Sequence, residues 1–414
     1  MTTKHICAAF LASAALAGCG LNQSGNIAAP KDGDRTHPAE RASPVAQFVD
    51  TCGAGGSMPN VSSITRQPYF QQMTTDSVIV GWVTTNPEGA RVELTTPDGA
   101  AVSTTAAEEE HTVTRTPREH QMWTKLTSLT PDTEYCYAVY DAAGEATART
   151  GFRTAPAADS TKPIRFIALG DSGSGGSDQY ALRDQMDTVP FDLMLHVGDI
   201  AYDSGTIDQF EEHVFDVYAD LLKNIPFFPV AGNHEYETDN AAPYRAVFNL
   251  PAYGGENYYS YDYGRVHFAA IDTEQDYASQ IAWLDQDLAA SKAPWKIVYM
   301  HKPVYSSGDH KSDLKLRALL EPVIQKHGVQ LVLAGHDHDY ERMKPQHDVY
   351  YFVTGGGGRG TRPVQASDFT AFSSEVIEFL YGEVLADKMV LHAIDGTGRE
   401  FDSVEIPMTP PASR

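Results

Sequence analysis

The residues with the most chemistry in this chain stand at five places where an apolar run stops. Ile164 to Leu169 runs into Gly170-Asp171, Phe191 to Val197 into Gly198-Asp199 with Tyr202 three residues on, and Ile225 to Ala231 into Gly232-Asn233-His234-Glu235. Trp295 to Met300 runs into His301, and Val329 to Ala334 into Gly335-His336-Asp337-His338. The donor set is two carboxylates (Asp171, Asp199), one phenol (Tyr202), one amide oxygen (Asn233) and three imidazoles (His301, His336, His338). Mixed oxygen and nitrogen donors of this kind suit transition cations. Two such cations about 3.5–4 Å apart share a bridging carboxylate and act together on a phosphoryl group. A phenol is a poor ligand for zinc or magnesium and a good one for ferric iron, whose charge strips its proton. Tyr202 therefore bears on metal identity.

Taken singly, these residues carry little weight. Asp171 or Asp199 alone reads as a helix N-cap, and His336 and His338 alone read as surface loop residues. Their force lies in the elements that must position them. Each apolar run has the length and composition of a strand buried on both faces, and in layered α/β folds ligands gather at the carboxyl ends of such strands. From about Lys162 onward strands alternate with helical patterns. Ile207, Phe210, Val214, Val217 and Leu221 step by three and four, as do Tyr277, Ile281, Leu284 and Leu288, and Leu316, Leu320, Val323 and His327. Asn257 to Tyr263 and Arg265 to Asp272 form an extra hairpin, and after His338 the chain returns to β-rich sequence. The fold class is α/β: a four-layer α/β/β/α sandwich over residues 162–408, packed as two sheets between two helical layers.

The preceding region, residues 61–156, reads as all-β. Ser77 to Val83 alternates with period two, and Asn86-Pro87-Glu88-Gly89 and Pro97-Asp98-Gly99 have turn chemistry. Leu126 to Tyr137 resembles the fibronectin type III consensus, with Tyr135 as its tyrosine-corner residue and Trp82 in the core. Residues 19–60 are rich in Ser, Gly, Ala and Pro and read as a flexible tether. Residues 1–18 read as a secretory signal, and Leu16-Ala17-Gly18-Cys19 resembles a bacterial lipobox, so Cys19 carries lipid and the protein sits outside the cytoplasm, on the outer membrane or cell surface. Cys52 and Cys136 are the remaining even pair in an oxidising compartment, and the sequence leaves open two free thiols or a disulfide, which by closing about 84 residues would contribute roughly 4 kcal/mol.

The net charge of −24 disfavours nucleic acid and an anionic membrane face as partners, leaving lipid on Cys19 as the membrane contact. It does not disfavour an anionic substrate, because bound cations invert the local sign. The oligomeric state is open.

Gly-Asp-x-Gly, Gly-Asp-x-x-Tyr, Gly-Asn-His-Glu, a strand ending in His, and Gly-His-x-His, in this order, resemble the purple acid phosphatase branch of the calcineurin-like metallophosphoesterases. Most other metallophosphoesterases have His two residues after the first Asp; here Gly173 stands there and Tyr202 is gained. The resemblance implies a ferric site of Asp171, Tyr202 and His338, and a divalent site (zinc, manganese or iron) of Asn233, His301 and His336, with Asp199 bridging. It implies hydrolysis of a small phosphomonoester by a metal-bridging hydroxide, with His234 on the phosphoryl oxygens and His310 protonating the leaving group. The rival readings are a phosphodiesterase or nucleotide pyrophosphatase on the same centre, and a non-catalytic surface adhesion protein. Gly170-Asp171-Ser172-Gly173 invites a serine-protease reading, but it lacks the supporting barrel. The glycines from Gly355 to Gly358, followed by Arg359 and Gly360, lack the Lys-Ser/Thr ending of a P-loop and read as a tight turn.

Overall fold

The computed structural model describes residues 42–58, 63–110, 113–251 and 257–408. The expected signal, Cys19 and most of the expected tether lie outside these residues.

The five apolar runs form the strands Ile164–Leu169, Leu193–His196, Phe227–Pro229, Trp295–Met300 and Leu331–Ala334. The first three are parallel neighbours in a six-stranded sheet, with Leu169 opposite His196 and His196 opposite Pro229. The other two are parallel neighbours in a seven-stranded sheet, with Tyr299 opposite Leu333. Parallel strands need covering on both faces, and the alternation of side chains provides two buried faces per strand. Phe166, Ala168, Leu193 and Leu195 of the first sheet meet Phe268, Ala270, Ile297 and Leu333 of the second in one core. On the outer faces, Ile167, Leu169 and Met194 lie under Leu182, Met186 and Leu221, while Ile271, Val298, Met300 and Val332 lie under Leu284, Leu288, Leu316 and Leu320. The layers run helix, sheet, sheet, helix. The expected hairpin is present, Tyr259–Tyr263 pairing antiparallel with Val266–Ile271.

The helical period from Ile207 to Leu221 is interrupted by a π-helical turn, Glu211–Phe215, between the helices Ile207–Phe210 and Asp216–Leu222. This wide turn carries Glu211 into the interface with the N-terminal sandwich.

That sandwich consists of two sheets, one holding Ile64–Gln71, Ser77–Thr84, His120–Thr127 and Glu108–Glu110, the other Ala101–Ala106, Arg91–Thr95, Glu134–Asp141 and Thr150–Arg153. Trp82 is fully buried, and the Tyr135 hydroxyl accepts the Thr130 N–H at 3.0 Å. The tether expectation needs one correction. Residues Ala46–Cys52 form a helix, Phe48 packs into the core shared with the catalytic domain, and Cys52 is bonded to Cys136. Seven residues are too few to show a helical period in sequence, so packing and the cross-link order them.

The sandwich is docked on the strand that delivers Asn233. Phe70 bridges to Pro226, Gln71 Nε2 donates to the Phe227 carbonyl at 2.9 Å, and the Tyr69 hydroxyl donates to the Val247 carbonyl at 2.7 Å. At the centre Arg66, 3% exposed, donates from Nε to Glu211 Oε1 at 3.0 Å, with its guanidinium over the Phe215 ring at 4.1 Å. Removing one partner of a buried pair strands the other charge. Arg66→Ala is therefore expected to cost about 3–5 kcal/mol and to lower the calorimetric Tm by about 10 °C; an unchanged Tm would show that the pair does not hold the domains together.

Candidate metal centre

At the carboxyl edge of the two sheets, three non-glycine residues hold left-handed backbone: Asp171 (φ 56°), Asp199 (φ 53°) and His336 (φ 72°). This conformation costs roughly 1–2 kcal/mol per residue, and strain of this kind collects at functional sites. Each follows a glycine that ends its strand. At Gly198 (φ 96°) an added Cβ would lie 2.5 Å from His301 Nδ1, so the first sheet's turn rests directly on the second sheet's histidine.

The seam is closed by hydrogen bonds. His336 N–H donates to Asp171 Oδ2 at 2.8 Å, Gly170 N–H to the Thr354 carbonyl at 2.8 Å, and Gly335 N–H to the His301 carbonyl at 2.9 Å. Because the Val197 carbonyl can only accept, the 2.9 Å contact makes His301 Nδ1 the donor and leaves Nε2 facing the site.

Two groups of donor atoms result. In one, the Tyr202 hydroxyl lies 3.0 Å from Asp171 Oδ1, 3.0 Å from Asp199 Oδ2 and 3.1 Å from His338 Nε2. In the other, His301 Nε2 lies 3.2 Å from Asn233 Oδ1, 3.2 Å from His336 Nδ1 and 3.3 Å from Asp199 Oδ2. Ligand atoms of Asp199, His301 and His336 all fall within 4.8 Å of one another, a span one metal ion can bridge. Asp199 Oδ2 belongs to both groups.

The electrostatics match a site built for cations. One phenolic proton faces three acceptors, and burial together with the Asp171 and Asp199 charges pushes the Tyr202 phenol far above its ordinary range. Asp171 is pushed well up by burial and by Asp199, with His301 opposing. Burial disfavours a charged His301, yet Asp199 and Asp171 outweigh it and raise the ring to about 10. Lone pairs converge here with few protons to share, and a cation between them satisfies the whole donor set.

Gly173 accounts for the placement of Tyr202. An added Cβ at Gly173 would lie 1.6 Å from the Ile200 carbonyl oxygen, and the Tyr202 N–H donates to the Gly173 carbonyl at 2.8 Å. Any side chain at 173 would push away the segment that delivers the phenol.

The other expected site residues border these groups. His234 donates its N–H to Asp199 Oδ1 at 3.0 Å, its Nδ1 contacts the Asp203 carbonyl, and its ring lies 4.4 Å from the Tyr202 ring. The His310 ring lies 4.0 Å from the His336 ring, tilted by 36°, and Nδ1 lies 3.1 Å from Asp337 Oδ1. The structure thus brings together all nine residues singled out from sequence.

Several partners were not read from the sequence. Glu235, fully buried, accepts four backbone N–H donors at 2.7–3.0 Å: Asp199, Ile200, Ala201 and Gly232. Burial and the Asp199 charge push its carboxyl up to about 7, against the pull of those donors. Its position in Gly-Asn-His-Glu was the available signal. The chain bends at 357–359, and the segment does more than turn: Gly357 N–H donates to the Gly170 carbonyl and Arg359 N–H to the Asp171 carbonyl, both at 3.0 Å. Residues 355–359 therefore lie against the Asp171 turn, and a Cβ at Gly355 or Gly357 would come within 2.1 Å of the Asp337 or Gly170 carbonyl oxygen. Ser172, by contrast, is buried with its hydroxyl 2.7 Å from His196 Nε2, out of reach of substrate.

The family model for calcineurin-like phosphoesterases matches residues 164–340, and that for the purple acid phosphatase N-terminal domain matches residues 67–154. Purple acid phosphatase 18 of Arabidopsis thaliana is 30% identical over 227 residues, covering 48% of this chain and 50% of that protein. Human acid phosphatase type 7 is 30% identical over 265 residues, covering 56% and 58%. The chain thus spans only about half the length of these relatives. The purple acid phosphatase PPD1 from yellow lupin seeds shares the fold at a TM-score of 0.74 and 20% identity, over 82% of this chain and 74% of that one.

Glu235 ties the turn bearing Asp199 to the turn bearing Asn233. In Glu235→Gln an NH2 group replaces an accepting oxygen and leaves at least one buried N–H unpaired, at about 1–3 kcal/mol. Calorimetry should show a Tm several degrees lower; a wild-type Tm would mean that the four contacts are dispensable.

Proposed function

The chain belongs to the purple acid phosphatase branch of the calcineurin-like phosphoesterases, and from that premise we propose that it hydrolyses phosphomonoesters at a dinuclear metal centre. One observation carries the reading: a single carboxylate oxygen, Asp199 Oδ2, lies 3.0 Å from the Tyr202 hydroxyl and 3.3 Å from His301 Nε2. A carboxylate in that position would be shared by two cations. Asp171, Tyr202 and His338 would hold ferric iron, and Asn233, His301 and His336 a divalent ion (zinc, manganese or iron). When bound, such a pair supplies Lewis acidity toward the phosphoryl oxygens and a source of hydroxide at acidic pH.

The protein's own residues supply the rest. The Asp203 carbonyl can only accept, so His234 carries a proton on Nδ1 and turns Nε2 toward the centre, 3.8 Å from Asp199 Oδ2, where it would meet a phosphoryl oxygen. His310, its Nδ1 held 3.1 Å from Asp337 Oδ1, is the group placed to protonate a departing oxygen. The Cys52–Cys136 bond supports a place outside the cytoplasm, with lipid on Cys19 as the proposed anchor.

Asp199→Asn or His301→Ala is expected to lower nitrophenyl phosphate turnover by at least about 100-fold while far-UV circular dichroism stays that of wild type; either variant at near-wild-type turnover would remove that residue from the centre. Wild type should release nitrophenol faster from the mono- than from the bis-nitrophenyl ester, and the opposite order would make it a diesterase. Concentrated protein should be pink or violet from tyrosinate-to-iron charge transfer. A colourless, active preparation holding only zinc or manganese would take Tyr202 off the ligand list.

A further inference from the structure

Three cationic side chains stand next to the centre, and their partners differ. Lys302 Nζ donates to Glu274 Oε2 at 2.7 Å, and Arg359 donates from Nη2 to Asp203 Oδ1 at 2.6 Å while lying over the Tyr202 ring at 5.1 Å. Both charges are neutralised. Arg362 has no carboxylate partner among the described residues. Its Nη1 lies 3.1 Å from His310 Nδ1 and 3.4 Å from His310 Nε2, and its N–H donates to the His338 carbonyl at 2.8 Å, which fixes its backbone to the ligand-bearing segment.

The support beneath this pair is rigid. Asp337 is fully buried; its Oδ1 accepts the His310 N–H at 2.8 Å and faces His310 Nδ1 at 3.1 Å, while its Oδ2 accepts the Ser306 hydroxyl. Gly308 completes the loop, since a Cβ there would lie 2.5 Å from Asp337 Cγ. The His310 ring, 4.0 Å from the His336 ring and tilted to it, is therefore set by a buried carboxylate, and Arg362 stands beside it.

A guanidinium with unspent N–H donors, beside the group that faces the departing oxygen, is suited to an anion in fork geometry. In a chain of net charge −24, a charge left unpaired at this spot is available to a ligand rather than to a neighbouring side chain. We propose that Arg362, with His310 set by Asp337, forms a leaving-group subsite that selects substrates whose leaving group is itself anionic, such as the terminal phosphate ester or anhydride of a phosphorylated or carboxylated alcohol or nucleotide. This rests on the hydrolase reading above. Arg362 binds the charged leaving group, and Asp337 acts only as a positioning residue for His310.

The test compares ADP, whose leaving group carries a phosphate, with nitrophenyl phosphate, whose leaving group carries no charge in the substrate. The readout is the ratio of the two kcat/KM values, ADP over nitrophenyl phosphate, in wild type and in Arg362→Gln. Loss of a charged hydrogen-bonded contact is worth about tenfold or more, so the ratio should fall at least about tenfold in Arg362→Gln, carried mainly by KM for ADP, and Arg362→Lys should recover part of it. A general disturbance of the loop would lower both values and leave the ratio in place. An active wild type whose ratio moves less than about threefold on Arg362→Gln overturns the subsite alone. A wild type inert toward both substrates overturns the hydrolase reading and the subsite with it.

Discussion

The structure depends on one joint, the seam where the carboxyl edges of two sheets meet. His336 N–H reaches Asp171 Oδ2 across it, and His301 Nδ1 reaches the Val197 carbonyl. Each sheet alone would present an incomplete donor set: Asp171, Asp199 and Asn233 from one, His301, His336 and His338 from the other. Only the pairing of the edges places oxygen and nitrogen donors within reach of a shared cation. The left-handed turns at Asp171, Asp199 and His336 are the local cost of that closure, and the hydrogen bonds across the seam offset it.

Charge explains why the joint is built around cations rather than around paired side chains. Asp171, Asp199, Glu235, Asp337 and Asp339 are all nearly or fully buried in this region. Among the described residues Asp339 has no hydrogen-bond partner on either carboxylate oxygen, and burial with the neighbouring Asp337, Glu341, Glu378 and Asp171 pushes its carboxyl up to about 9. Among the described residues no arginine or lysine is paired with these groups; Arg359 and Arg362 stay at the rim. Buried charge of one sign needs either protons or metal ions, and the nitrogen donors arranged beside Asp199 favour metal ions. The N-terminal sandwich contributes mechanically, through Arg66, Gln71 and Tyr69 on the strand and helices that support Asn233.

Much of this was legible in the sequence, for identifiable reasons. Buried parallel strands are written as uninterrupted apolar runs, so each strand carrying a donor could be read, and the residue type at its end named the chemistry. The hairpin at Tyr259–Tyr263 followed from the long interval between His234 and His301, and the helices Tyr277–Ala290 and Leu314–Lys326 from a period of three to four. What stayed hidden depends on tertiary contact. Glu235 looks like any acidic loop residue until four N–H groups converge on it. Asp337 lies between two histidines, and only the loop from Ser306 to His310 reveals its purpose. The Ala46–Cys52 helix is too short for a period, and the π-helical turn at Glu211 leaves the apolar pattern unchanged while redirecting one carboxylate toward Arg66. The glycines at 355–358 could be recognised as a place of close approach, but not what approached.

Counting bound metal tests the shared aspartate most directly. Elemental analysis of protein purified without chelators should find two metal ions per chain in wild type, one of them iron, and no more than one in Asp199→Asn. A metal-free wild type, or an Asp199→Asn protein that still holds two ions, would contradict a centre bridged by Asp199.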